Sequence, residues 1–412
     1  MTPVAVDRQT LERAKLATFA FFGLAGVAFA SWASRIADAK NELGLGAGEL
    51  GATLFAMSVG SVLALPLTGR AVERFGVVRT IRAGMIVAAL GAVVVGLGVD
   101  TFASRPAVMG GLFLLGVGVG GWDVAMNLEA TDVERHLGRA IMPHFHAAFS
   151  GGTVLTALLG AGLSWSNVPI LAHLSVVAVL VTVAGLWALR SCLPHEATAA
   201  GATAAHKATT GEKSASAWRE PRTLLIGLVV LVAAFTEGTA NDWLAVAFHE
   251  GHQLPTWAGV LAFATFLTCM TVGRIVGTSL LDEHGRVPVL RVCFTLAIIG
   301  SAMVIFGNAW LAFVGAAIWG VGASLGFPVG RSAAADDQAR AAARMSVIAT
   351  IGYAAFLAGP PLLGFLGDHV GVLRSLTVVG AGALLALLLV PALREPAKHE
   401  SVAPEPVAPV AH

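Results

Sequence analysis

The chain has 412 residues, 56% of them hydrophobic and 12% charged, and a mean hydropathy of +0.78. Soluble domains carry about 25% charged residues, so apolar runs recurring from end to end mark a polytopic membrane protein. The net charge is +1, and no basic tract interleaved with aromatics offers a footprint for nucleic acid.

A spanning helix needs roughly 20 apolar residues. The sequence predicts twelve such spans, at 16–35, 48–69, 77–98, 106–129, 143–164, 168–190, 222–248, 256–279, 287–307, 309–331, 345–366 and 371–393. The first apolar run, Leu16 to Trp32, ends without a small-residue cleavage site and continues into SWASR, so it reads as an uncleaved span. One long polar break, rich in Ala, Thr, Gly and Lys, splits the spans six and six. The expected organisation is a six-helix bundle over 1–190, a linker over 191–220, a second bundle over 221–394 and a disordered Pro/Ala/Glu-rich tail over 395–412. Of the 26 Lys and Arg, only Arg35, Lys40, Arg105 and Arg374 fall on the side opposite the termini, and Arg274 lies within a span. That bias predicts that both termini are cytoplasmic. Cys192, Cys269 and Cys293 are too scattered for a disulfide framework or a metal site.

The halves resemble each other. At one constant offset Glu73 meets Asp282, Gly76 meets Gly285, Arg82 meets Arg291 and Gly91 meets Gly300. The loop after span two reads GRAVERFG, with Gly69, Glu73, Arg74 and Gly76; the loop after span eight reads GTSLLDEHGR, with Asp282, Gly285 and Arg286. A glycine permits close helix approach, an acid sits at a helix end, and a tight basic turn follows. The pair suggests a cytoplasmic clasp of ion pairs that makes and breaks as two halves move.

Twelve spans, a central linker and this doubled loop resemble the major facilitator superfamily, whose loop pattern is G-x-x-x-D-R-x-G-R. Gly69, Arg74 and Gly76 match it, with Glu73 in place of Asp and Val77 in place of the last Arg. In the second half Asp282, Gly285 and Arg286 match, while Thr278 stands at the glycine position. FASWASR, DVAMNLEATDVER, MPHFHAAFSGG, EGTANDW, MTVGR, WGVGASLGFPVG and GYAAFLAGPPLLG, in that order, are similar to the YbjJ-like inner-membrane proteins of bacteria. The resemblance implies an all-α fold of two pseudo-symmetric six-helix bundles in a bacterial plasma membrane, acting as a secondary transporter. It implies small sugar-like or polyol-like cargo, and a cavity lined by spans one, four, seven and ten. Span four lacks the superfamily's arginine and span five lacks the glycine-proline signature of proton-drug antiporters, which favours import.

Glu237 falls close to the middle of span seven. A charge at that depth costs at least about 2.5–3.5 kcal/mol on insertion scales, so it faces a cavity or a partner. Asn241 is one turn on, and span four repeats the spacing as Asp123 and Asn127. Each acid is a candidate proton carrier and each amide a grip for hydroxyl groups; the alternative is a structural network between helices. Asp242 points about 140° from Glu237, toward the outer mouth or another helix. Trp32 and Arg35 share a face, and Arg35 is a candidate gate partner of Asp242 or else an interfacial anchor. Trp319 and Phe327 offer a flat wall for a sugar ring, or simple packing. Arg274 either snorkels to the interface or forms an internal salt bridge. His144 and His146 diverge by roughly 200° and cannot chelate together; one of them is a candidate member of a hydrogen-bond network with Glu129 or Asp132.

The function expected is proton-coupled movement of a small polar solute by a monomer in contact with lipid, with no cofactor and no metal. No nucleotide-binding loop is present, and no nucleophile-base pair suggests an enzyme. A drug or metabolite exporter and a non-transporting sensor are the alternatives.

Overall fold

In the computed structural model, residues 7–193, 217–337 and 340–395 are described. The expected linker and tail lie almost wholly outside these residues. Twelve helices long and apolar enough to span a bilayer are present: Arg8–Glu42, Ala47–Phe75, Val77–Asp100, Arg105–Leu137, Met142–Trp165, Ile170–Ser191, Pro221–Gly251, Thr256–His284, Arg286–Phe306, Ala309–Ala334, Ala343–Val370 and Val372–Leu393. They coincide in order with the predicted spans. Several run further, because charged residues beyond the apolar run continue the helix. Span four extends past Asp132 and Glu134 to Leu137, where Gly138 closes it at φ +66°.

The repeat is visible in the backbone. Gly76 (φ +83°) separates spans two and three, and Gly285 (φ +76°) separates spans eight and nine. A left-handed residue lets one helix stop and the next start without a loop. Within each bundle, spans three and four and spans nine and ten pack backbone to backbone. A Cβ on Gly118 would lie 2.2 Å from the nitrogen of Ala88, and one on Gly322 would lie 2.4 Å from that of Ala297. Small residues at membrane helix contacts supply van der Waals packing that lipid cannot displace.

Spans one, ten and twelve are broken within their length, span twelve between Ser375 and Thr377. Span one stops at Ala33 and resumes at Ile36. Span ten stops at Ala323 and resumes at Gly326. Pro328 accounts for the second break, since its ring excludes the carbonyl four residues back, that of Ser324.

Spans two and eleven, and spans five and eight, pack across the bundle boundary. At the end opposite the termini, Lys40 pairs with Glu250. The Gly48 N–H donates to Asp368 Oδ1 at 2.9 Å, and the hydroxyls of Ser164 and Thr256 are 3.2 Å apart. A Cβ on Gly51 would lie 2.4 Å from the Pro360 carbonyl. At the other end, His146 on span five is exposed although Arg274 and Arg331 of the second bundle act on it electrostatically. A side chain that faces the other bundle and is still open to solvent marks a cleft. The molecule is therefore sealed at one end and open at the end carrying its termini.

Candidate functional site

The cleft is lined from both sides by polar groups at mid-span depth. On span four, Asn127 Nδ2 donates to the Asp123 carbonyl at 2.8 Å and to its Oδ1 at 3.3 Å. Both residues are half-buried, and no ion pair holds Asp123 among the described residues. Besides Asn127, Arg331 on span ten and Tyr353 on span eleven of the other bundle act on it electrostatically. Asp123 therefore faces the second bundle.

On span seven the expected symmetry fails. Glu237 does not bond Asn241; its Oε2 accepts from Arg274 at 2.9 Å. The side chains keep 21% and 31% of their exposure, so the pair borders open space and is not sealed in a dry contact. Arg274 Nε donates to the Ser324 carbonyl at 3.2 Å. That carbonyl is the one that Pro328 leaves without a helical donor. One arginine thus ties span seven to span eight and to the break in span ten. Of the two alternatives for Arg274, the internal salt bridge holds. Asn241 keeps a buried side-chain oxygen with no partner among the described residues.

The Arg35–Asp242 gate is not formed. Arg35 is 2% exposed inside the first bundle, with Nε 3.1 Å from Asp38 Oδ2 and an N–H donated to the Val168 carbonyl at 2.5 Å. Asp38, three residues on, offers a nearer carboxylate than anything on the facing bundle. Asp38 also accepts from Ser164, which reaches Thr256 across the boundary, so the cluster belongs to the sealed end. Asp242 does diverge from Glu237, as its angle requires, and lines a small pocket between spans seven and eleven.

Neither tryptophan presents a face to solute in this state. Trp32 is 2% and Trp319 0% exposed, the latter packed edge-on against Phe266 at 5.8 Å. Close helix packing at both positions leaves no room for a ring. An exposed ring facing the first bundle comes instead from Tyr353, which Asp123 acts on electrostatically.

The clasp residues are placed as a repeat, and Arg286 is bonded inside the second bundle. Glu73 and Arg74 are exposed, and Arg74 lies over the Phe75 ring at 5.5 Å. A Cβ on Gly69 would meet nothing within 4 Å, so the close approach expected there is not made in this state. Gly285 starts the turn, and Arg286 bonds Asp336 at 2.8 Å within the second bundle. The Arg286 N–H also donates to Glu395 at 2.8 Å. Arg222 reaches Asp336 as well, at 2.9 Å. Among the described residues, no bond of Asp282 accompanies these.

Sequence reasoning missed Asp336, Arg331 and Tyr353. Arg331 entered only as one of many basic residues at a span end. Tyr353 is the single tyrosine in the chain, a signal that was available. Just past span six, burial beside Glu129 raises the Cys192 thiol above its usual range, which leaves it unreactive. Among the described residues, no group of three or more His, Cys, Asp or Glu side chains gathers to hold a metal.

Two six-helix bundles around a polar cleft, closed at one end and open at the other, define a membrane transporter. The family model described as Major Facilitator Superfamily matches residues 16–277 and 256–411. A protein of Sinorhizobium fredii (strain NBRC 101917 / NGR234) named "Uncharacterized transporter y4wD" is 30% identical over 378 residues, 91% of this chain and 96% of its own length. The fold is similar to the nucleoside transporter NupG (D323A mutant), at a TM-score of 0.73 and 14% identity over 93% of this chain and 98% of that one. It is also similar to a D-xylose-proton symporter, at 0.68 and 14% over 92% and 97%. The chain belongs to the major facilitator superfamily, and is a multi-pass membrane transporter, not an enzyme.

Proposed function

We propose that the protein moves a small, polar, hydroxyl-bearing solute by alternating access, coupled to protons. The observation that carries this reading is the unequal treatment of the two cleft acids. Glu237 has its charge met by Arg274. Asp123 has only an amide beside it and faces the second bundle. Asp123 is thus the acid free to exchange a proton with solvent in the open cleft, and Asn127 and Asn241 offer donors and acceptors to hydroxyl groups. The sugar and nucleoside cargoes in the names of two structural neighbours agree with this chemistry. The bias of Lys and Arg toward the open end assigns that end to the cytoplasm. Partners are then a solute, protons and lipid, with the monomer as the working unit.

The test is uptake by the purified protein in vesicles across a panel of sugars, polyols and nucleosides. Asp123→Asn should abolish accumulation driven by a pH gradient while leaving solute counterflow intact, because exchange needs no net proton movement. Normal pH-driven accumulation by that variant overturns coupling at Asp123.

A further inference from the structure

A small pocket lies between spans seven and eleven. It has room for about one water molecule. Its lining includes Thr239, Asp242, Phe356 and Pro360. Asp242 is its sole charged residue, and no ion pair or hydrogen bond holds that carboxylate among the described residues. Thr239 is 3% exposed, and its hydroxyl has no partner. Thr236, one turn earlier, shares this state, whereas Thr265, Thr268 and Thr271 on the next span all bond back to a carbonyl of their own helix. A third oxygen comes from the backbone. Pro360 has no N–H, so the carbonyl of Phe356 loses its helical donor, and both residues line the pocket. Trp243 Nε1 is a buried donor at the same place, suited to the second carboxylate oxygen or to a water.

A carboxylate, a hydroxyl and a freed carbonyl are hard oxygen donors. Protein oxygens of this kind, including carbonyls of broken membrane helices, bind alkali cations. A single negative charge in an apolar wall balances a single positive one, which disfavours Ca2+ and Mg2+, whose sites gather more oxygens or keep several waters. The space holds about one water molecule; sodium is smaller than that and leaves room for short bonds to the oxygens, whereas potassium, of about water's size, does not. The geometry points to a sodium site formed by Asp242, Thr239 and the Phe356 carbonyl. It links span seven to span eleven at the double proline Pro360-Pro361, beside the glycines where spans two and eleven meet. Occupancy would stiffen that joint.

The test uses the full chain in detergent, and its readout is thermal unfolding in NaCl, KCl and choline chloride at constant ionic strength. A cation that binds the folded state raises Tm saturably. Sodium should do so, potassium far less and choline not at all. Asp242→Asn should abolish the sodium effect. Thr239→Val should raise the half-saturating sodium concentration by about tenfold, as expected for one lost ligand worth ~1.4 kcal/mol. Thr236→Val, which removes a buried hydroxyl outside the pocket, should behave as the parent. A response equal for sodium and choline overturns the proposal, as does a sodium response that survives Asp242→Asn. So does an Asp242-dependent response to pH without one to sodium, which would make the occupant a proton. If Asp242→Asn does not fold, an unchanged half-saturation in Thr239→Val overturns it instead. None of these readouts depends on solute uptake, so their failure leaves the transport reading untouched.

Discussion

The Glu237–Arg274 pair is a costly polar contact of the second bundle to break. Removing one partner leaves the other charge facing a half-dry cleft. Full burial of such a pair makes that cost about 3–5 kcal/mol; here the pair keeps 21% and 31% of its exposure, so about 2 kcal/mol is expected for Glu237→Gln. The double variant Glu237→Gln/Arg274→Gln should lose less than the sum of the singles, by about 1–2 kcal/mol. A double-mutant cycle in thermal unfolding measures this, and additive losses would mean the two side chains do not interact. The depth of Glu237 was legible in the sequence, because its position within an apolar run fixes it. Its partner was not. Arg274 lies on another helix, and whether two helices bring opposite charges together depends on how each is rotated. Arg35 is a different case: its partner Asp38 lies only three residues on, and was passed over in favour of Asp242.

At the scale of elements, a proline and an arginine share one carbonyl. Pro328→Ala returns an N–H to Ser324, joins the two halves of span ten and takes the acceptor from Arg274. The variant should be more stable, by about 1–3 kcal/mol, and slower in transport, since the break then no longer yields. A faster transporter would argue that the break is incidental. At the mouth of the cleft, Glu220 precedes span seven and accepts from Arg344 at 2.7 Å, Thr223 at 2.9 Å and Arg340 at 2.6 Å, tying the starts of spans seven and eleven. Burial raises its carboxyl pKa, but the bonds to Arg344, Thr223 and Arg340 outweigh this and hold it below the ordinary Glu range. A lowered folded pKa means the unfolded chain binds the proton more readily. The bonds therefore stabilise above the unfolded pKa of about 4.3, and that contribution is lost as pH falls through the lower, folded value. Glu220→Gln should flatten the acid limb of the stability profile and change nothing near neutral pH beyond a constant offset. Helix starts such as this one are hard to read from sequence, since hydropathy reports only the apolar stretch within each helix.

The architecture of the whole molecule was the most legible part, because a bilayer leaves the backbone few choices. Twelve apolar runs, a polar break in the middle and paired glycines at Gly76 and Gly285 suffice to give two repeated bundles. The state of the molecule was not legible, since one sequence must serve both the closed and the open arrangement of each end. In the arrangement observed, the seal includes a carboxylate of one bundle set on the helix start of the other. Asp368 accepts from Gly48 N at 2.9 Å, in the first turn of span two, where the helix dipole favours negative charge. A Cβ on Gly48 would lie 2.2 Å from the Asp368 carboxylate, so any side chain there displaces it. A charge at a helix N-terminus is worth about 0.3–1 kcal/mol, and ~1 kcal/mol is about fivefold in a two-state population. Asp368→Ala should therefore move the equilibrium up to about fivefold toward the state open at this end, and Gly48→Val further. A cysteine at Thr256, on the sealed side, reports the change once Cys192, Cys269 and Cys293 are replaced. Its labelling rate should rise in both variants and fall again when solute holds the opposite state. Equal labelling in the parent and in both variants would place the seal elsewhere, with Lys40–Glu250 and the Ser164–Thr256 contact as the remaining bonds across the boundary.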